Sequence, residues 1–156
     1  MRISLFAALL AAADQLLKYR VFLRLRPVGS IVVIPNFFSL SYVENRGATW
    51  GMLAGQQVFL IIFSFLTLGF LVWKRKNLFE HLWGGPLTMS LIFGGIIGNL
   101  IDRIRLNYVI DFLDFYWGQS HFPAFNIADA SICCGVFLFI VTQWIHDKAS
   151  QQHATP

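Results

Sequence analysis

The sequence predicts a mainly α, polytopic membrane protein of four transmembrane helices with a small β-rich element at the interface. Three observations predict it. Hydrophobic residues make up 56% of the 156-residue chain and charged residues only 13%, about half the charged share of an ordinary soluble domain. Mean hydropathy is +0.61, so lipid must be part of the solvent. Four stretches, about 3–23, 52–73, 82–101 and 127–145, are long and apolar enough to span a bilayer, which takes roughly 20 residues each. The length fits one membrane domain, 1–156.

The first stretch has two readings. Met1-Arg2 followed by an apolar run to Ala11-Ala12-Ala13 has the form of a cleavable secretory leader. The run continues through Leu16-Leu17, however, and Asp14 and Lys18 share a helix face at i, i+4. The favoured reading is a first transmembrane helix with a polar patch near its end. The link that follows, about 24–51, is long and too apolar for disorder. Phe38, Leu40 and Tyr42 alternate with Ser39, Ser41 and Val43, the period of a half-buried strand. A small sheet at the membrane interface is expected there.

The second and third stretches are joined by the short link 74–81, and the third, 82–101, carries no charge. The link 102–126 is polar and aromatic, and the tail from Asp147 is polar and expected to fray. With four spans, the two long links emerge on one side and both termini on the other. Asp14, Lys18, Asn45, Arg46, Asn99, Asp102, Arg103, Asp111, Asp114, Asn126 and Asp129 therefore converge near one face. Lys74-Arg75-Lys76, the densest basic cluster, marks the opposite side as cytoplasmic. A raw count of Lys and Arg runs the other way, but those charges sit among polar site residues.

The formal net charge of +4 fits contact with anionic lipid head groups rather than nucleic acid. Cys133 and Cys134 are neighbours and read as small apolar helix residues. No Cys or His falls at metal-ligand spacing, and no cofactor is implied.

Ionisable groups at membrane depth are costly and mark function by default. Structural pairs, Asp14 with Lys18 or Asp102 with Arg103, are the plainer alternative. Gly94, Gly95 and Gly98 allow close approach of a peptide or of another helix. Asn99, Asp102 and Arg103 share a helix face at i, i+3 and i+4. Arg103 offers a fork of donors suited to peptide carbonyls or a carboxylate. Asn126 is a natural N-cap, and Asp129 three residues on answers the helix dipole. Asp111 and Asp129, brought together in a poorly solvated site, would share a proton. One could then take a proton from water while the other donates to a scissile carbonyl. No serine lies in a GxSxG context, and the cysteines lie in an apolar run that disfavours a thiolate.

Five stretches, in order, resemble the lipoprotein signal peptidase (signal peptidase II) family. They are Asp14-Gln15-Leu16-Leu17-Lys18, Glu44-Asn45-Arg46-Gly47-Ala48, Gly98-Asn99-Leu100-Ile101-Asp102-Arg103, Val109-Ile110-Asp111-Phe112-Leu113-Asp114-Phe115 and Phe125-Asn126-Ile127-Ala128-Asp129. The resemblance implies a bacterial inner-membrane enzyme with both termini cytoplasmic, a periplasmic-side β-rich cradle and an active site near the outer face. It implies an aspartyl endopeptidase that cuts prolipoproteins before a diacylglyceryl-modified cysteine. Asp111 and Asp129 match the catalytic pair. Asn45, Gly47, Asn99, Arg103 and Asn126 match substrate-lining positions, and Asp14 and Lys18, with Asp102, supporting ones. Inhibition by globomycin-type cyclic peptides is implied too, and a monomer is expected. Thr49-Trp50 stands where the family usually has Ala-Phe, and Asn107 where a Gly is common. Two other classes compete with this reading. A small proton or cation carrier would use Asp14, Asp102, Asp111 and Asp129, but spread through the membrane depth. A non-catalytic assembly protein would explain the aromatic loops but not paired aspartates.

Overall fold

The structure, a computed structural model, describes residues 2–48 and 52–154. Thr49-Trp50, one of the two departures from the family pattern, lies outside the described residues. The elements are α1 (Arg2–Leu25), β1 (Ser30–Ile34), β2 (Phe38–Asn45), α2 (Gln57–Arg75), α3 (Gly85–Leu106), β3 (Val109–Trp117), β4 (Ser120–His121) and α4 (Ile127–Ala154). A π-helical turn, Lys76–Glu80, continues α2.

Three helices are long and apolar enough to cross a membrane: Gln57–Glu80, Gly85–Leu106 and Ile127–Gln151. Helix α1 has 24 residues but carries Asp14, Lys18, Arg20 and Arg24 within them. Among the described residues those buried are Ala7, Ala11, Asp14, Lys18, Val21 and Leu25, a 4-3-4-3-4 spacing that forms one continuous stripe. The opposite face exposes Leu5, Leu9, Leu16 and Leu23, with Arg20 beside them near the end of the helix.

Helix α3 is the centre of the bundle. Within the spans 56% of α3 is buried, against 17% of α2 and 22% of α4. Glycines decide how closely α1 and α4 approach it. A Cβ on Gly94 would fall 2.6 Å from the Leu10 side chain. One on Gly95 would collide with the Ala128 carbonyl, and one on Gly98 would lie 2.7 Å from Asp14 Oδ2. Of the two uses the glycines allow, the structure shows helix packing. Cys133 and Cys134 lie on the exposed side of α4.

Several boundaries differ from expectation. Helix α2 starts at Gln57 rather than near 52, because Leu53 and Gly55 take positive φ and break the helical run. Helix α3 starts at Gly85 and runs on to Leu106, carrying Asp102 and Arg103 within it. Its cap is Asn107 at φ 66, a left-handed position that Gly fills best and Asn next best. That accounts for the Asn where the family pattern has Gly. Helix α4 runs well past 145, where fraying was expected. Gln143 donates to Asp147 at 2.9 Å across one turn, and the segment holds neither Gly nor Pro before Pro156.

The strands form one antiparallel sheet in the order β1-β2-β3-β4. Pro35 and Asn36, with Asn36 at φ 60 and Phe37 N donating to Ile34 O, make the tight turn between β1 and β2. Strand β1 is exposed throughout, which suits an apolar edge lying in a membrane interface. On β2 the alternation holds, but Ser39 and Ser41 are its most buried residues. Their hydroxyls both donate to Asp114 Oδ2 at 3.1 Å. The sheet joins the end of the bundle where α1 and α3 finish and α4 begins.

Candidate active site

Asp111 reaches the site from β3 and Asp129 from the first turn of α4. The β2–β3 register pairs Val43 with Asp111 and Leu40 with Leu113, so β2 carries one extra residue beside Asp111. A bulge of this kind redirects side chains locally. Here Asn45 and Asp111 project from the same face, and Asn45 Nδ2 donates to Asp111 Oδ2 at 2.8 Å. Asn126 Nδ2 donates to Asp111 Oδ1 at 2.7 Å.

Asn126 also starts α4. Its Oδ1 accepts from the Asp129 N–H at 2.9 Å, and its own N–H donates to Asp129 Oδ2 at 3.2 Å. This is a reciprocal capping box, so the cap reading of Asp129 is correct as far as it goes. The remaining oxygen, Asp129 Oδ1, accepts from Asn99 Nδ2 at 2.7 Å. Each carboxylate thus accepts two hydrogen bonds, and Asn126 touches both.

Asp111 is 1% exposed and lies on β3, outside the helical spans. Burial, then repulsion from Asp129, pushes its pKa up to about 7, against the pull of Asn45, Asn126 and Lys18. A carboxylic acid that exchanges its proton near neutral pH is suited to acid–base work.

Behind the pair lies a buried ionic cluster. Lys18 Nζ is 2.8 Å from Asp14 Oδ2, 2.9 Å from Asp102 Oδ2 and 2.9 Å from Asn99 Oδ1. Three N–H groups meet three acceptors. Asp14 Oδ1 accepts from the Ala128 N–H at 3.0 Å, tying α1 to the start of α4. Asp102 accepts from the Ile110 N–H at 3.2 Å and from Gln15 Nε2 at 2.8 Å. The Asp14–Lys18 pair is therefore present, whereas Asp102 pairs with Lys18 rather than Arg103. Asn99 and Asp102 meet at Lys18, whereas Arg103 turns towards Gly47. Arg103 Nη2 donates to the Gly47 carbonyl at 3.3 Å, and its buried Nε has no partner among the described residues. Gly47 N–H in turn donates to Asn45 Oδ1 at 3.0 Å.

Two residues that the sequence motifs include without a role of their own, Gln15 and Asp114, contribute here. Gln15 bonds Asp102 and the Gly98 carbonyl. It lies three residues before Lys18, so helical periodicity already put it on that flank. Asp114 accepts from Ser39 and Ser41, with His121 Nδ1 2.8 Å from its other oxygen. Burial of Asp114 is outweighed by these partners, and its pKa falls. Among the described residues no group of three or more His, Cys, Asp or Glu side chains is placed to hold a metal ion. A cavity of about 670 Å³ lies apart from the pair, lined by Ala8, Ala12, Val72, Arg75, Phe93 and Ile97. It opens between apolar helix faces and holds neither aspartate.

The Signal peptidase (SPase) II family profile matches residues 6–145. The chain belongs to the signal peptidase II family. The lipoprotein signal peptidase of Syntrophotalea carbinolica is 43% identical over 143 residues, 90% of this chain and 89% of that protein. The lipoprotein signal peptidase of Shewanella loihica is 44% identical over 147 residues, covering 90% and 84%. A bacterial membrane enzyme solved in meso at 2.3 Å superposes with a TM-score of 0.79 at 33% identity, covering 99% of this chain and 93% of that one. A second, solved at 1.9 Å, gives 0.73 at 35% identity, covering 89% and 90%. The signal peptidase II match includes every residue of the site described above, and the carrier reading finds no support in it.

Proposed function

We propose that this chain is the membrane aspartyl endopeptidase that removes the signal peptide from prolipoproteins, cutting before the diacylglyceryl-modified cysteine. The observation that carries the reading is the pair Asp111 and Asp129, brought from separate elements and bridged by Asn126. Held in a buried, amide-lined pocket, the two share one negative charge and one proton. One carboxylate takes a proton from water as the water oxygen bonds to the scissile carbonyl carbon. The other gives its proton to the carbonyl oxygen.

Asn45, Gly47 and Arg103 line the approach to the pair, and the Arg103 Nε, without a partner among the described residues, is placed to meet a substrate carbonyl. Asn99 and Asn126 complete the lining while holding the carboxylates. Asp14, Lys18 and Asp102 support them from behind. Helix α1 is the fourth span of a single membrane domain, 1–156. Its charges at Asp14 and Lys18 are turned inward, its outer side exposes Leu5, Leu9 and Leu16, and the exposed Arg20 and Arg24 lie near its end. The enzyme sits in the inner membrane with both termini cytoplasmic, the basic cluster 74–76 inside and the sheet at the periplasmic surface. It works as a monomer among membrane lipids, needs no cofactor and is inhibited by globomycin-type cyclic peptides.

A gel-shift assay tests the reading. Purified protein is given a lipidated prolipoprotein or the unlipidated precursor, alongside the Asp111→Asn and Asp129→Asn variants. Cleavage of the lipidated form only, lost in both folded variants, is expected. Full activity in either variant, or none in folded wild type, would overturn it.

A further inference from the structure

The two carboxylates are not equivalent, and the orientation of three amides records the difference. An asparagine side chain can be turned over, exchanging its oxygen and nitrogen, unless a neighbour of fixed character decides. Each asparagine around the pair has such a neighbour. Lys18 can only donate, so Asn99 must turn its oxygen to it at 2.9 Å. That leaves Asn99 Nδ2 to donate to Asp129. The Gly47 N–H fixes Asn45 in the same way, and the Asp129 N–H fixes Asn126. Both of these then turn Nδ2 to Asp111.

The surroundings separate the pair further. Asp129 is half-buried in the first turn of α4, where the positive end of the helix favours an anion. One of its donors is a backbone N–H and the other an amide aligned by an ammonium. Asp111 is buried on a strand between Ile110 and Phe112, themselves buried. The charged groups around the pair are Asp14 and Lys18 from α1 and Asp102 and Arg103 from α3, while β2 contributes the neutral amide of Asn45. Four carboxylates thus face two cations, so the cluster has reason to retain a proton.

We propose that Asp129 is the ionised member of the pair and Asp111 the protonated one, with Lys18 a positioning residue that fixes this order through Asn99. The inference rests on the peptidase reading above. In the forward step water gives its proton to Asp129 and its oxygen bonds to the carbonyl carbon. The Asp111 proton passes to the carbonyl oxygen, leaving a neutral tetrahedral diol. In the second step the C–N bond breaks and the departing nitrogen takes the proton held by Asp129. Asp111 regains a proton from one diol hydroxyl as the acid product forms.

The pH dependence of kcat/KM on a lipidated prolipoprotein tests the order, since it reports the free enzyme's acid and base. Wild type, Lys18→Met, Asn99→Ala and Asn45→Ala are compared. Asn99→Ala removes a donor to the ionised group, so the acidic limb should rise by about one to two pH units. Lys18→Met should move the same limb in the same direction and, because Lys18 also acts on Asp111, raise the alkaline limb with it. Asn45→Ala removes a donor to Asp111 and should raise the alkaline limb instead. The opposite pattern, with Asn99→Ala moving the alkaline limb and Asn45→Ala the acidic one, would reverse the assignment. An equal fall at every pH would reduce Lys18 and Asn99 to structural roles and overturn the proposal. Should Lys18→Met not fold, Asn99→Ala and Asn45→Ala decide the matter. Cleavage by wild type and its loss in Asp111→Asn and Asp129→Asn stand whichever limb moves, so the two readings fail separately.

Discussion

Asn126 donates its side-chain amide to Asp111 at 2.7 Å while its Oδ1 accepts the Asp129 N–H at 2.9 Å. One residue therefore sets both the start of α4 and the reactive pair. Asn126→Ala should cost about 1–2 kcal/mol of stability through the lost cap and should cut kcat/KM by about a hundredfold or more through the lost amide. Asn126→Asp keeps a capping oxygen, so its melting temperature should recover while its activity does not. Thermal unfolding in detergent and the gel-shift assay separate the two effects.

Lys18 neutralises Asp14 and Asp102 where neither meets solvent. Lys18→Leu leaves both without their cation and should cost about 3–5 kcal/mol. Adding Asp14→Asn should return part of that loss. A double-mutant cycle on melting gives the coupling, and unchanged melting in Lys18→Leu would reject it.

The raised pKa of Asp111, about 7, links stability to pH with a definite sign. The folded state holds a proton that the unfolded chain releases near 3.9. The gain is full below the unfolded value and is lost as pH rises through 7, for about 4 kcal/mol at most. Asp111→Asn has no such proton to lose. Its melting temperature should exceed wild type at pH 8 and converge with it near pH 4.

Gly98 has no room for a methyl group, whose carbon would sit 2.7 Å from Asp14 Oδ2 and 3.2 Å from Ala128 Cβ. Gly98→Ala should destabilise by about 1–3 kcal/mol. Gly69 in α2 has nothing within 4 Å, so Gly69→Ala should be neutral or stabilising by up to about 1 kcal/mol. Chemical denaturation of the two variants gives the contrast.

Trp83 and Trp117 flank the two ends of α3 and are 90% and 82% exposed. In single-tryptophan variants, aqueous and lipid-borne quenchers confined to one leaflet should reach one and spare the other. Equal quenching of both from one leaflet would break the proposed topology.

Much of the site was legible in the sequence because span counting alone brings the polar residues to one end. The i, i+4 spacing gave the Asp14–Lys18 pair, and the Asn126–Asp129 spacing gave the helix cap. Tertiary detail was not legible. Nothing local shows that Asp102 turns to Lys18 rather than to its neighbour Arg103, since that depends on how α1 docks. The serines of β2 read as the wet side of a strand until Asp114 is found beneath them. The extra residue beside Asp111 is invisible in the alternation because it exists only relative to β3. The start of α2 was misplaced because an apolar Leu53 takes a turn conformation that its composition does not announce.

The separation of Asp111 and Asp129 between β3 and α4 has a bearing on biosynthesis. The last helix brings the second carboxylate and, with Asn126 at its threshold, the amide that aligns the first. On the proposed four-span topology, a growing chain that has inserted only its first three helices carries half the proposed pair and no alignment. On the proposed chemistry, a protease made inside the membrane it serves stays inert towards its neighbours until its own assembly is finished.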